Sequence, residues 1–220
     1  MALTVGTFYN SGQIIPAALT YTASVTQDAG GNGFLLVFIA NETDSSSSVT
    51  GVTYGGQALT LLRKDQSQTQ TSDYFYCYYL ANSSVTGANN LVVTWNNAQY
   101  NKTGITVQAF TGSSGIGANN VTTATSPVTG SLTVSANSVI MGWCFTTGGS
   151  SSMTWTGATA KWFNQLDNFN GGSITSSLTA GSQSVTGSPL FSGSMSLMLA
   201  EIKQSGGTTL TSKNTQAVWI

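Results

Sequence analysis

The sequence predicts an all-β protein, a two-sheet antiparallel β-sandwich with almost no helix. Short apolar or β-branched stretches recur along the whole chain, and clusters of Gly, Asn and Ser separate them. Val, Ile, Thr, Tyr and Trp dominate those stretches and suit a pleated, half-buried surface. No window keeps an apolar 3.6-residue period through three turns, so helices are not expected.

In order, the expected strands are 34–40, 52–54, 58–62, 74–80, 91–95 and 105–110, then 132–134, 139–145, 153–155, 160–166, 174–178 and 195–202. Turn signals punctuate them: Ala29-Gly30-Gly31-Asn32-Gly33, Gly55-Gly56, Gly148-Gly149 and Gly171-Gly172. Stretches 34–40 and 139–145 lack polar alternation and read as central, buried strands. The stretch 195–202 alternates, with Met195, Leu197, Leu199 and Glu201 on one face and Ser196, Met198, Ala200 and Ile202 on the other. One of these faces is expected to be the core face, with Glu201 emerging at the rim. The halves echo one another: Val52-Thr53-Tyr54-Gly55-Gly56 in the first, Met153-Thr154-Trp155-Thr156-Gly157 in the second, each after a buried strand and a Ser-rich loop. Greek-key wiring produces such echoes by itself, so a repeat does not follow from them.

Residues 1–203 read as the sandwich domain and 204–220 as a linker with an apolar tail. Gln204-Ser205-Gly206-Gly207-Thr208-Thr209 is linker-like, and the sequence closes on Gln216-Ala217-Val218-Trp219-Ile220. The tail has two readings, a last strand folded back on its own domain, or an arm that anchors on a neighbouring subunit through Val218, Trp219 and Ile220.

Composition narrows function. The chain has no histidine, which removes the usual general base and every Ser-His-Asp, Cys-His or His-metal constellation. Seven carboxylates remain: Asp28, Glu42, Asp44, Asp65, Asp73, Asp167 and Glu201. Glycoside hydrolysis needs two of them facing each other, and Glu42/Asp44 and Asp65/Asp73 are the pairs able to converge at loop ends. Turns use such residues anyway. No catalytic residue is expected, and the chain does not read as an enzyme. A calcium site from Glu42, Asp44 and backbone carbonyls lacks ligand spacing in its loop, so neither a metal nor a cofactor is expected. No Gly-rich phosphate loop follows a strand and opens a helix.

The net charge is -1, and Arg63, Lys64, Lys102, Lys161, Lys203 and Lys213 are scattered, so no field attracts nucleic acid or an anionic membrane. A near-zero charge favours assembly. The longest apolar run, 34–40, is too short to span a bilayer. Met1-Ala2-Leu3-Thr4-Val5-Gly6 lacks the features of a cleaved leader, so synthesis in a host cytoplasm without export is expected. Cys77 and Cys144 sit in apolar strands and are expected to stay reduced as small hydrophobes. Sequons at Asn41, Asn82, Asn101 and Asn120 are expected by chance in so Asn/Ser/Thr-rich a chain. Trp95 and Trp143 read as core; Trp155, Trp162 and Trp219 stay open between core and a sugar-stacking platform.

The segment Val49-Thr50-Gly51-Val52-Thr53-Tyr54-Gly55-Gly56-Gln57-Ala58-Leu59-Thr60-Leu61-Leu62 resembles the VTGVTYGGxALT signature of a β-sandwich module seen in phage virion proteins and bacterial surface proteins. A buried strand precedes it, Tyr78-Tyr79-Leu80 follows, then a GxNxLVVTW strand from Gly87 to Trp95 and the turn Ala109-Phe110-Thr111-Gly112. The resemblance runs over residues 4–203 and departs at Ala81-Asn82-Ser83, where the module has a proline pair. It implies a jelly-roll or concanavalin-like sandwich with a binding or structural role. The expected function is therefore a phage virion structural protein, a capsid decoration protein or a fibre or tail component. Its expected partners are other copies of itself and virion proteins such as the major capsid protein, with surface glycans as a further ligand. The alternative is a carbohydrate-binding adhesin module of a bacterial surface.

Overall fold

The computed structural model describes residues 1–15, 17–27, 33–41, 47–66, 73–98, 102–147, 152–164, 168–190 and 193–206. Among them the chain is all-β, with every strand pairing antiparallel and no helix. The first nine strands are β1 (Thr4–Ile14), β2 (Thr20–Gln27), β3 (Gly33–Asn41), β4 (Val49–Tyr54), β5 (Gln57–Ala58), β6 (Thr60–Gln66), β7 (Tyr74–Ser83), β8 (Gly87–Trp95) and β9 (Thr103–Thr111). The remainder are β10 (Ser113–Thr125), β11 (Val128–Val134), β12 (Val139–Thr147), β13 (Met153–Thr156), β14 (Thr159–Asn164), β15 (Asn168–Ile174), β16 (Gly181–Pro189) and β17 (Ser194–Gln204).

The span read as one pair of sheets holds two pairs. In the first unit the sheets run β1-β9-β3-β7-β6 and β2-β8-β4-β5; in the second they run β10-β17-β12-β15-β14 and β11-β16-β13. Replacing β1 by β10, β2 by β11, β3 by β12, β4 by β13, β6 by β14, β7 by β15, β8 by β16 and β9 by β17 turns one wiring into the other; β5 alone has no counterpart. The irregularities repeat as well. The ladder of β1 slips between Val5 and Phe8, opposite Phe110 and Gln108. That of β10 slips between Ile116 and Asn119, opposite Ile202 and Ala200. A second shared bulge falls between Leu61 and Arg63 in β6 and between Ala160 and Trp162 in β14. Wiring alone does not place bulges, which are local features that re-aim a strand. The sequence echo is therefore a structural repeat, which corrects the reading of it as incidental.

The four sheets stack in layers with three cores between them. Leu35, Val37 and Ile39 of β3 pack against Val25, Leu91 and Trp95 in the first unit's own sandwich. Phe34, Leu36 and Phe38, on the other face of β3, meet Met141, Trp143 and Phe145 of β12 in a core shared by the units. Ile140 and Cys144 face a third core with Val128, Leu132 and Val185. All nine residues of β3 are buried because both its faces are covered, which is why its sequence shows no alternation. For the same reason β17 has two core faces: Met195, Leu197 and Leu199 on one side, Met198, Ala200 and Ile202 on the other. Glu201 does not emerge at the rim as expected; it is only 3% exposed. The shared core is an aromatic seam. The ring of Phe38 lies 5.0 Å from Trp143, and Phe75 meets the same indole edge-on at 5.3 Å. Such ring pairs add about 0.5–1.5 kcal/mol each beyond their buried area. At the borders β1 approaches β14, and Arg63 Nη1 of β6 donates to Asn119 Oδ1 of β10 at 3.4 Å. These reciprocal border contacts are those of two copies turned about an approximate two-fold axis.

Some strands were not visible in the sequence. β1, β2, β10 and β16 are built from Thr, Ser, Gly and Asn with only occasional large apolar residues. Conversely, the expected strand 174–178 lies mostly beyond β15, where Leu178 N donates to Ser138 O instead of continuing a ladder.

The signature segment has a physical basis. Tyr54 and Gln57 pair across a two-residue hairpin whose turn is Gly55 (φ +52) and Gly56 (φ +81). Two consecutive positive φ values are the primed turn that glycine permits. A Cβ on Gly55 would also come within 2.7 Å of Val85. The Tyr54 hydroxyl, fully buried, donates to Gly87 O at 2.8 Å and accepts from Gln27 N at 3.1 Å, tying β4 to the ends of β8 and β2.

Candidate interaction surfaces

Among the described residues, Arg63, Asp65 and Glu201 make contacts that hold the fold. Asp65 receives Arg63 through two bonds, Nε to Oδ2 at 2.8 Å and Nη2 to Oδ1 at 2.9 Å. That pairing raises the Arg63 pKa above its ordinary value, working against partial burial. Lys64 lies over the Tyr74 ring at 4.2 Å and the Tyr76 ring at 5.4 Å. Asp73 is buried at the start of β7.

Glu201 is a clamp. Its Oε2 accepts from Ala118 N at 2.9 Å and its Oε1 from Ser135 N at 2.6 Å, joining β17 to β10 and to the turn after β11. Burial pushes its pKa up, but the amides of Ser135 and Ala118 and the hydroxyls of Ser138 and Ser135 outweigh it and hold the carboxyl below its ordinary value. A Cβ on Gly117 would clash with that carboxylate and displace it from its present position. Among the described residues no group of His, Cys, Asp and Glu comes together to hold a metal. Asp28, Glu42, Asp44 and Asp167, including the pair weighed for calcium, lie outside the described residues.

Cys77 and Cys144 are free and buried in different layers, Cys77 in the shared core and Cys144 in the outer core of the second unit. Burial pushes both thiols well above the usual range, which keeps them protonated. Trp95 and Trp143 are core residues, as expected; Trp95 Nε1 donates to Asn41 Oδ1 at 3.3 Å. Trp155 is half-buried against the outer core of the second unit. The Trp162 side chain and all of Val218, Trp219 and Ile220 lie outside the described residues. The aromatic rings among the described side chains are buried or half-buried.

What the fold does present is two outer faces. The strands of both outer sheets carry no charged residue; the strand charges all sit on β6, β14 and β17 of the inner sheets. On β2 the outward positions are Thr20, Thr22, Ser24 and Thr26, all exposed, alternating with buried Ala23, Val25 and Gln27. On the opposite end of the molecule Thr129 and Ser131 of β11 face Thr186 and Ser184 of β16. Their hydroxyls pair across the strands at 2.7 and 2.8 Å. β13 extends this hydroxyl surface through Thr154, whose Oγ1 donates to Ser188 O at 3.2 Å. A neutral hydroxyl face offers hydrogen-bond donors and acceptors and carries no net charge to steer a partner. Sequence reasoning missed these surfaces because a Ser/Thr-rich strand and a Ser/Thr-rich loop have the same composition; the signal was the alternation in Thr20-Tyr21-Thr22-Ala23-Ser24-Val25-Thr26. No family model and no curated protein matches the chain.

Proposed function

We propose that this chain is a structural subunit of a phage virion, a decoration protein of the capsid or a building block of a surface fibre or tail. The observation that carries the reading is the double-ended block: two sandwich units fused through a shared core, each turning a charge-free hydroxyl sheet outward. The strand orders β1-β9-β3-β7 and β2-β8-β4-β5 of the first unit support a jelly-roll reading, an architecture of viral capsid and lectin domains. The signature segment at the β4–β5 hairpin supports the same reading, and so do two of the described carboxylates, Glu201 and Asp65, which serve to hold the fold. In this role the chain assembles with copies of itself and with the major capsid protein, and the C-terminal residues Val218, Trp219 and Ile220 form an arm on a neighbouring subunit. The adhesin alternative calls for exposed aromatics in a shallow groove; the aromatic rings among the described side chains are buried or half-buried. Mass spectrometry of gradient-purified particles, with immunogold labelling of intact ones, tests the proposal. The expected result is a stoichiometric protein labelled on the particle surface. Absence from purified particles overturns it.

A further inference from the structure

An exposed strand edge offers unpaired N–H and C=O groups, and folded proteins blunt such edges with charge, bulges, brevity or cover. Most edges here follow that rule. β6 carries Arg63, Lys64 and Asp65 and a bulge, and β14 carries Lys161 and a bulge. β1 and β10 are each broken twice. β5 and β13 are only two and four residues long. The edge of β11 is bordered by β10, which folds back beside it. The exception is β2. It has eight residues, an unbroken register against β8, no charge, no proline, and no strand on its other side among the described residues. Its counterpart in the second unit is flanked, whereas β1 reaches β2 only at a corner, where Tyr9 OH and Tyr21 OH meet at 3.0 Å.

We propose that the free edge of β2 pairs antiparallel with β2 of a second copy across a two-fold axis, joining two outer sheets into one. The strand is self-complementary. An axis through Ser24 sets Ser24 against itself and Thr22 against Thr26 on one face, and Ala23 against Val25 on the other. Cross-strand Thr and Ser pairs are favourable, and the molecule already uses them between β11 and β16. Exposed Ile15 and Leu19 stand at the head of β2, 57% and 52% accessible, and gain by being covered. With a net charge of -1, copies barely repel one another. The symmetry of the pattern selects a second copy over an unrelated peptide.

The interface deepens the assembly role proposed above and rests on it only in requiring that copies meet. The test is sedimentation equilibrium of the full chain, wild type beside Ser24→Lys and Ser24→Glu. Ser24 is exposed, so both variants keep the fold, which circular dichroism checks. Wild type should dimerise, with β2 amides gaining hydrogen-exchange protection as concentration rises. Each charged variant alone should dimerise at least about tenfold more weakly, because like charges meet at the axis, and an equimolar mixture of the two should recover the dimer. A wild type that stays monomeric to its solubility limit overturns the proposal. So does a dimer that Ser24→Lys leaves intact, or protection of β2 only by a different protein. A monomeric chain found in purified particles would remove this interface and leave the structural role standing. A β2-mediated dimer absent from particles would do the reverse.

Discussion

The two units share a wiring and differ in how they are fastened. At equivalent positions on the penultimate strand of each inner sheet the first unit has Gln108 and Ala109, the second Ala200 and Glu201. In the first unit Gln108 Nε2 donates to Gly6 O at 2.8 Å, Thr7 O at 3.3 Å and Ala109 O at 3.0 Å, filling the bulge of β1 with a neutral amide. In the second the equivalent bulge is spanned by the Glu201 carboxylate, which reaches Ala118 N and the turn at Ser135. The same break in the ladder is met once by a donor to freed carbonyls and once by an acceptor for freed amides. Topology, then, follows from the pattern of apolar faces and bulges, and the polar fastening is exchangeable. What the fastening changes is chemistry: at this bulge the second unit uses a charge where the first uses a neutral amide.

The largest test of this comparison is at the seam both units share. Trp143→Ala should cost about 3–5 kcal/mol, because it leaves a cavity in the shared core beneath Phe38 and Phe75. The loss should appear in denaturant unfolding as one transition for the whole chain; separate transitions would show that the units do not share a core energetically. Next come Leu36→Ala, in the shared core, and Ile140→Ala, in the outer core of the second unit. Each should cost about 2–5 kcal/mol, and a change within about 0.5 kcal/mol in either would mark that strand as peripheral.

Smaller effects separate the two fastenings. Glu201→Gln removes a buried charge-assisted acceptor and should cost about 1–3 kcal/mol at neutral pH. The folded carboxyl has a lowered pKa, so its contribution is present above the ordinary carboxylate value and is lost as pH falls through the folded value. The wild-type melting temperature should therefore decline more steeply on acidification than that of the variant. Parallel declines would show that Glu201 is not linked to folding. Gln108→Ala should cost about 1 kcal/mol and leave the pH dependence of stability unchanged, since a neutral amide has no proton to lose. Smallest of all is the thiol test. Intact-mass measurement after alkylation should show no adduct on the folded chain and two on the denatured, unreduced chain, as expected for Cys77 and Cys144 in separate layers. No added mass after denaturation would mean a bond exists.

How much of this was legible in the sequence depended on which faces a strand buries. β3 and β12 were readable because two covered faces leave an unbroken apolar run, and β4 with its glycine turn was readable from turn chemistry. β16, Gly181–Pro189, was not, because its inward positions include Gly187. There a Cβ would come within 2.6 Å of Met153 Cε, and the Trp155 ring lies close by, so the bulk that fills this core is supplied by β13. Gly130 is small for the same reason: Leu199 fills the space a side chain would take. A pattern read one strand at a time cannot see a large residue paid back across the core. The β17 alternation was read correctly, yet both of its faces are core, because a second sandwich lies behind the first and nothing local to the strand announces it. The buried Glu201 was visible as a residue but not as a clamp, since its partners Ala118 and Ser135 are backbone amides far along the chain.

β17 also determines how the molecule meets force. It lies between β10 and β12, paired with β10 from Ser194 to Gln204 and with β12 from Ser196 to Ile202. Tension on the residues that follow Gln204 therefore enters the fold along the axis of an interior strand. To yield, β17 must slide past two neighbours at once, so the bonds of both ladders bear the load together in shear instead of opening one after another like a zip. A chain held by that end is gripped at a strand paired on both sides.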